Sequence, residues 1–206
     1  MKFVEQQCSR LVEINFDKLF KIFRKHYTLV PLEVFGKDQY KTLISTLLSS
    51  RTKDETTLEA SKRLFNLAPN LEELKKLDSE TIEKAIYPVG FYKTKAKHLK
   101  KLAGLIDSVP KTREELINLP GVGRKTANLV LNRAFGIPAI AVDTHVHRIS
   151  NFLKLVKTKT PEQTERELLK VIPEKYWPEL NRLFVSIGRK YTTNKKLDEF
   201  INSQGL

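Results

Sequence analysis

Apolar residues recur every three or four positions along nearly the whole chain, and that spacing predicts helices rather than strands. Phe16, Leu19, Phe20 and Phe23 mark one face of a first helix. Leu43, Ile44, Leu47 and Leu48 mark a second, ending near Arg51. Asp54 is placed to cap a third, which carries Leu58, Leu64 and Phe65. A short helix is expected after Asn70, and another after Ser79 with Ile82 and Ile86. A longer one runs through Leu99, Leu102, Leu105 and Ile106. Thr112 and Glu115 have the spacing of a capping box and open a further helix. The next carries Ala127, Val130, Leu131 and Ala134, and Gly136 suits a left-handed stop. Residues 138–142 read as extended, and Asp143 then stands at the N-cap of a helix with Val146, Ile149 and Leu153. Pro161, after Thr160, opens another helix. Helices around Leu180–Ile187 and Leu197–Ile201 finish the chain. No repeat, low-complexity tract or convincing sheet interrupts this pattern, so the expected class is all-α.

Charge adds a partner to that picture. The 206 residues include 37 Lys+Arg against 24 Asp+Glu, a formal net charge of +13. Such an excess favours a polyanion, and without a long apolar run nucleic acid comes before membrane. A Lys-rich solvated surface would give the same count. Hydrophobic residues make up 40% of the chain, enough for one sizeable core or two small lobes. The single cysteine, Cys8, excludes an internal disulfide and any multi-cysteine metal site. It fits a reducing, intracellular setting, and the N-terminus has no apolar signal-peptide core. Abundant Lys beside one Cys and one Met leans toward a thermophile.

The chemistry concentrates in two short stretches, L-P-G-V-G-R-K-T-A over residues 119–127 and A-V-D-T-H over 141–145. A glycine hairpin lets backbone N–H groups approach a phosphate, because no Cβ holds the phosphate off. The helix beginning near Arg124 adds its N-terminal N–H groups and positive dipole end. Lys125 lies in that first turn, where a second positive charge is disfavoured. Arg124 beside it, the helix end and partial desolvation all push its amine toward the neutral, nucleophilic form. A lysine that simply binds phosphate would look the same locally. Asp143 can cap its helix like any N-cap aspartate. His145 and His147 are two residues apart, which a helix places on different faces, so they form no zinc pair. His145 is expected to make a structural hydrogen bond near Asp143.

These stretches resemble endonuclease III, a DNA glycosylase family of the helix-hairpin-helix superfamily. The match covers L-P-G-V-G-R-K-T-A-N at 119–128 and V-D-T-H-V-H-R at 142–148, with echoes at L-L-S-S-R-T-K-D (47–54) and V-G-F-Y (89–92). The resemblance implies two helical lobes with a DNA cleft between them. One spans 25–135 and contains the hairpin motif at about 112–136; the other joins 1–24 to 136–206. It implies Lys125 as the amine that attacks the sugar and Asp143 as the carboxylate that stabilises the charge developing there. Arg51 and Phe91 match positions that plug and wedge the stack once a base is flipped out. As residues alone, Arg51 could be a surface charge at a helix end and Phe91 a core aromatic. Further DNA contacts are implied for Leu119, Gly121, Val122, Gly123, Arg124, Thr126, His145, Arg189 and Lys190.

The implied activity is a bifunctional glycosylase and abasic-site lyase of base excision repair. It would act as a monomer on oxidised pyrimidines in damaged duplex DNA, inside a prokaryotic cell at its nucleoid. A monofunctional mismatch glycosylase is the first alternative, and Lys125 argues against it. A non-enzymatic hairpin clamp on DNA is the second, and Asp143 argues against that. Many relatives hold an iron–sulfur cluster on four C-terminal cysteines. The stretch after Gly188 here is R-K-Y-T-T-N-K-K-L-D-E-F, so no cluster, metal or other cofactor is expected.

Overall fold

A computed structural model describes residues 14–29 and 31–206; Cys8 lies outside them. The described residues form twelve α-helices and no strand, so the class is all-α. No helix among them is long and apolar enough to cross a membrane. The chain divides into two compact units. One is Leu29–Ala141, and the other takes the residues up to Thr28 together with Val142–Leu206.

In Leu29–Ala141, α2 (Gln39–Ser49) is the core helix. The pattern marked one apolar face, but Tyr40, Thr42, Ser45 and Thr46 are buried along with Leu43, Ile44, Leu47 and Leu48. Small hydroxyl residues let neighbouring helices close in. Ser45 Oγ donates to the Thr42 carbonyl at 3.4 Å and Ser49 Oγ to the Thr46 carbonyl at 2.7 Å, so those hydroxyls are satisfied by their own helix. Around α2 pack α3 (Asp54–Leu67), α6 (Tyr92–Leu105) and α8 (Arg124–Val130).

Three helix ends differ from expectation. Lys53, not Asp54, is the N-cap of α3 and makes no capping bond through its side chain. Asp54 is the first helical residue, where with Glu55 it favours the dipole instead. The helix expected after Ser79 begins on it: α5 (Ser79–Ile86) is capped by Asp78, whose carboxylate accepts the Thr81 N–H at 2.7 Å. Leu105, placed on the apolar face of α6, is 58% exposed, because the chain turns extended at Ile106. Other ends follow the pattern. Asn70 caps α4 (Leu71–Lys76) by accepting the Glu73 N–H. Thr112 accepts the Glu115 N–H at the start of α7 (Arg113–Ile117), and its hydroxyl donates to the Glu115 carboxylate at 2.6 Å.

After α8 the helix widens into one π turn over Leu131–Phe135 and stops at Gly136, at φ 68°. The extended stretch that follows has no sheet partner. Two buried asparagines take that place. Asn128 Nδ2 donates to the Ile140 carbonyl and Asn132 Nδ2 to the Ala139 carbonyl, each at 2.8 Å. They hold residues 136–141 onto the helix that precedes them.

The second unit is built from α1 (Phe16–Lys25), α9 (Thr144–Phe152), α10 (Pro161–Val171), α11 (Trp177–Lys190) and α12 (Asn194–Ser203). Its core is aromatic. Phe20 stacks on Tyr176 with ring centroids 4.1 Å apart, and Phe23 meets Phe184 edge-on at 5.2 Å. Tyr191 stacks on Phe200 at 4.3 Å, which fastens α12 to the end of α11.

Candidate active site

The hairpin between α7 and α8 is anchored from below. Leu119 and Val122 bury their side chains in the core, and the Val122 N–H donates to the Leu119 carbonyl at 3.1 Å. These two expected DNA contacts therefore present backbone only. Gly121 lies at φ +78°, and a Cβ there would sit 2.5 Å from His98 Nδ1 on α6. Both the dihedral and the close approach call for glycine. Gly123 is the N-cap of α8 and brings no side chain to cap it.

Arg124 and Lys125 follow in the first turn, both exposed. The partial desolvation expected of Lys125 is not supplied by its surroundings. Lys125 borders an open cavity of about 440 Å³ with Thr46, Ser49, Ser50, Arg51, the two hairpin glycines and Thr126. An amine at a helix start beside a cavity of this size can reach an atom presented to it from outside the protein.

Arg51 and Phe91 form the second part of the site. Both are non-glycine residues at positive φ, 51° and 58°. Arg51 follows the end of α2, and Phe91 is the N-cap of α6. The Arg51 guanidinium lies 5.7 Å from the centre of the Phe91 ring, a cation–π arrangement. Phe91 is 63% exposed, so it is not a core aromatic. Arg51 and Gly121 also line an adjoining cavity of about 340 Å³ with Phe91. One continuous surface thus runs from the hairpin and Lys125 to the Arg51–Phe91 pair.

Lys95 went unremarked in the sequence. It is 6% exposed, and its Nζ donates to the Leu48 carbonyl at 2.7 Å, the Ser50 carbonyl at 2.5 Å and Thr52 Oγ1 at 3.3 Å. Burial pulls its amine down to about 8 from the ordinary lysine value of 10.5. The signal was available, because Lys95, Leu99 and Leu102 fall at i, i+4 and i+7 on one face of α6.

In the other unit Asp143 is the N-cap of α9, at φ −111° and ψ −171°. Its Oδ1 accepts from the N–H groups of His145 at 3.0 Å and Val146 at 2.9 Å. His145 lies against the backbone of Gly188, while His147 Nδ1 is 2.6 Å from Thr164 Oγ1. The two histidines diverge, as their spacing requires. Arg189 and Lys190 are exposed in the last turn of α11. The end of that helix is closed by Arg148, which donates to the carbonyls of Gly188 at 3.3 Å and Tyr191 at 2.7 Å.

An iron–sulfur cluster does not fit these residues. The chain has one cysteine, whereas four thiolates are needed. Among the described residues no group of three or more His, Cys, Asp or Glu could hold a metal ion.

An all-helical chain with a glycine hairpin, a lysine in the helix after it and an aspartate at the next N-cap defines a class, and residues 44–174 match its sequence family. The chain belongs to the HhH-GPD superfamily of base excision DNA repair proteins. Within that superfamily its likeness is to endonuclease III. It is 48% identical over 158 residues to endonuclease III of Thermotoga maritima, covering 74% of each chain. It is 36% identical over 187 residues to endonuclease III of Rickettsia felis, covering 88% of each. A solved structure of an endonuclease III–DNA covalent intermediate matches with a TM-score of 0.74 and 33% identity, covering 86% of this chain and 84% of that one.

Proposed function

We propose that this protein removes oxidised pyrimidines from duplex DNA through a Schiff base on Lys125 and then cuts the strand by β-elimination. Base excision repair by a DNA glycosylase is the function of its family, and lyase action is typical of endonuclease III. The substrate, the residues and the metal-free state are the finer reading. The observation that carries it is Lys125, exposed in the first turn of α8 beside a cavity and the hairpin glycines.

A phosphate docked at the start of α8 would bring the damaged nucleotide's sugar to Lys125. The Nζ lone pair attacks C1′, and the electrons of the N-glycosidic bond leave with the base. The nitrogen loses a proton and the sugar ring opens to the Schiff base. Loss of a proton from C2′ then expels the 3′ phosphate, and water releases the enzyme. Positive charge grows on the sugar during the first step, and the carboxylate of Asp143 offsets it. DNA closing over the exposed amine supplies the desolvation that the protein alone does not. The flipped base leaves a gap costing a few kcal/mol, which Arg51 and Phe91 fill. Arg189 and Lys190 add phosphate contacts.

Duplexes carrying one oxidised pyrimidine should lose that base and be nicked at its site, while undamaged duplex should stay whole. Gel analysis with and without hot alkali separates base release from nicking. Base release with no nick before alkali would make the enzyme monofunctional and remove Lys125 as nucleophile.

A further inference from the structure

An ammonium carried by α6 is buried beneath the chain between α2 and α3, and Thr52 links that chain to the one between α5 and α6. Lys95 Nζ reaches the carbonyls of Leu48 and Ser50, at the end of α2, and the hydroxyl of Thr52. Thr52 completes the link. Its Oγ1 donates to the Ser50 carbonyl at 3.2 Å and accepts the Gly90 N–H at 3.1 Å. That uses its one proton and leaves its lone pairs for Gly90 and Lys95. The two segments are also in steric contact, since a Cβ on Gly90 would lie 2.5 Å from the Arg51 carbonyl oxygen. Flanking this latch on either side are Arg51 and Phe91, two of the three non-glycine residues at positive φ among the described residues. Left-handed backbone at such residues persists only where surrounding bonds hold it. The lysine's three acceptors are two carbonyls and one hydroxyl, at the negative end of α2.

We infer that Lys95 is a positioning residue: its buried ammonium latches the two segments so that Arg51 and Phe91 meet DNA as one preformed wedge. This rests on the wedge reading of that pair. A preformed wedge spends no binding energy on ordering, so the latch raises affinity for DNA with a gap and leaves affinity for intact duplex alone. Lys95 itself touches no DNA in this account.

The test compares binding to a duplex containing a tetrahydrofuran abasic-site analogue with binding to the undamaged duplex, by fluorescence anisotropy on the full chain. R51A should lower the ratio of the two affinities, which checks the wedge. K95M, which keeps the length of the side chain and removes its donors, should lower the same ratio about tenfold or more. R51A added to K95M should cost less than R51A alone, because the latch acts through Arg51. A general loss of stability would weaken both duplexes alike and leave the ratio unchanged. Trypsin gives a readout free of DNA, as K95M should speed cutting after Arg51 relative to cutting elsewhere. T52V removes the hydroxyl link and serves both assays if K95M does not fold. A ratio that falls for R51A but not for K95M or T52V, with cutting after Arg51 unchanged, would overturn the inference and leave the wedge standing. No effect of R51A or F91A would overturn the wedge, and trypsin then decides the latch alone.

Discussion

Asp143 shows how one side chain can carry a structural and a chemical duty together. Its Oδ1 is held by two backbone N–H groups of the helix that it begins, so the carboxylate is fixed before any substrate arrives. A carboxylate fixed in that way need not reorganise as charge develops on a sugar. The account therefore separates the two duties by D143N. Asparagine still caps, so unfolding stability should fall by about 1 kcal/mol or less. Single-turnover base release should fall by about a hundredfold or more, with DNA affinity nearly unchanged. Normal single-turnover rates would reduce Asp143 to a cap. Lys125 has the opposite character. It is exposed in the first turn of α8, at the edge of a cavity rather than in the core.

At the scale of the element, the hairpin works because its apolar residues go inward and its glycines stay outward. Gly121 and Gly136 both lie at positive φ, but only Gly121 has a neighbour that a Cβ would strike. G136A should cost about 1–2 kcal/mol from backbone conformation alone. G121A should cost about 1–3 kcal/mol more, because His98 must also move. Urea midpoints check the order, and H98A should recover part of the G121A loss but none of the G136A loss. Equal costs would mean that His98 yields freely. The caps at Asn70, Thr112 and Asp143 could be read from the sequence because an N-cap is local chemistry. The burial of Thr42, Ser45 and Thr46 could not, since hydroxyl residues read as the polar side of a helix until neighbouring helices close over them, with Thr42 Oγ1 donating to the Gly36 carbonyl and Ser45 Oγ to the Thr42 carbonyl. The place of Lys95 on an apolar face was legible, but its role was not, for a related reason. A charged residue on an apolar face looks like a break in the pattern until its carbonyl acceptors, more than 40 positions away in sequence, are brought beside it.

At the scale of the whole molecule, the end that holds a cluster in many relatives is closed here by ordinary packing. Arg148 ties off the carbonyls at the end of α11, and the Tyr191–Phe200 stack fastens α12 against it. Removing iron should therefore change nothing. The purified protein should contain no stoichiometric iron, and its circular dichroism should be the same before and after chelation. Iron at one cluster per chain, or unfolding on chelation, would contradict that. The central claim is that Lys125 becomes covalently joined to the sugar, and borohydride trapping on abasic-site DNA tests it most directly. The wild-type chain should form a borohydride-dependent covalent adduct with the DNA strand, and K125Q should form none while still binding the duplex. A K125Q protein that is trapped, or that still nicks abasic DNA at the wild-type rate, would contradict the account.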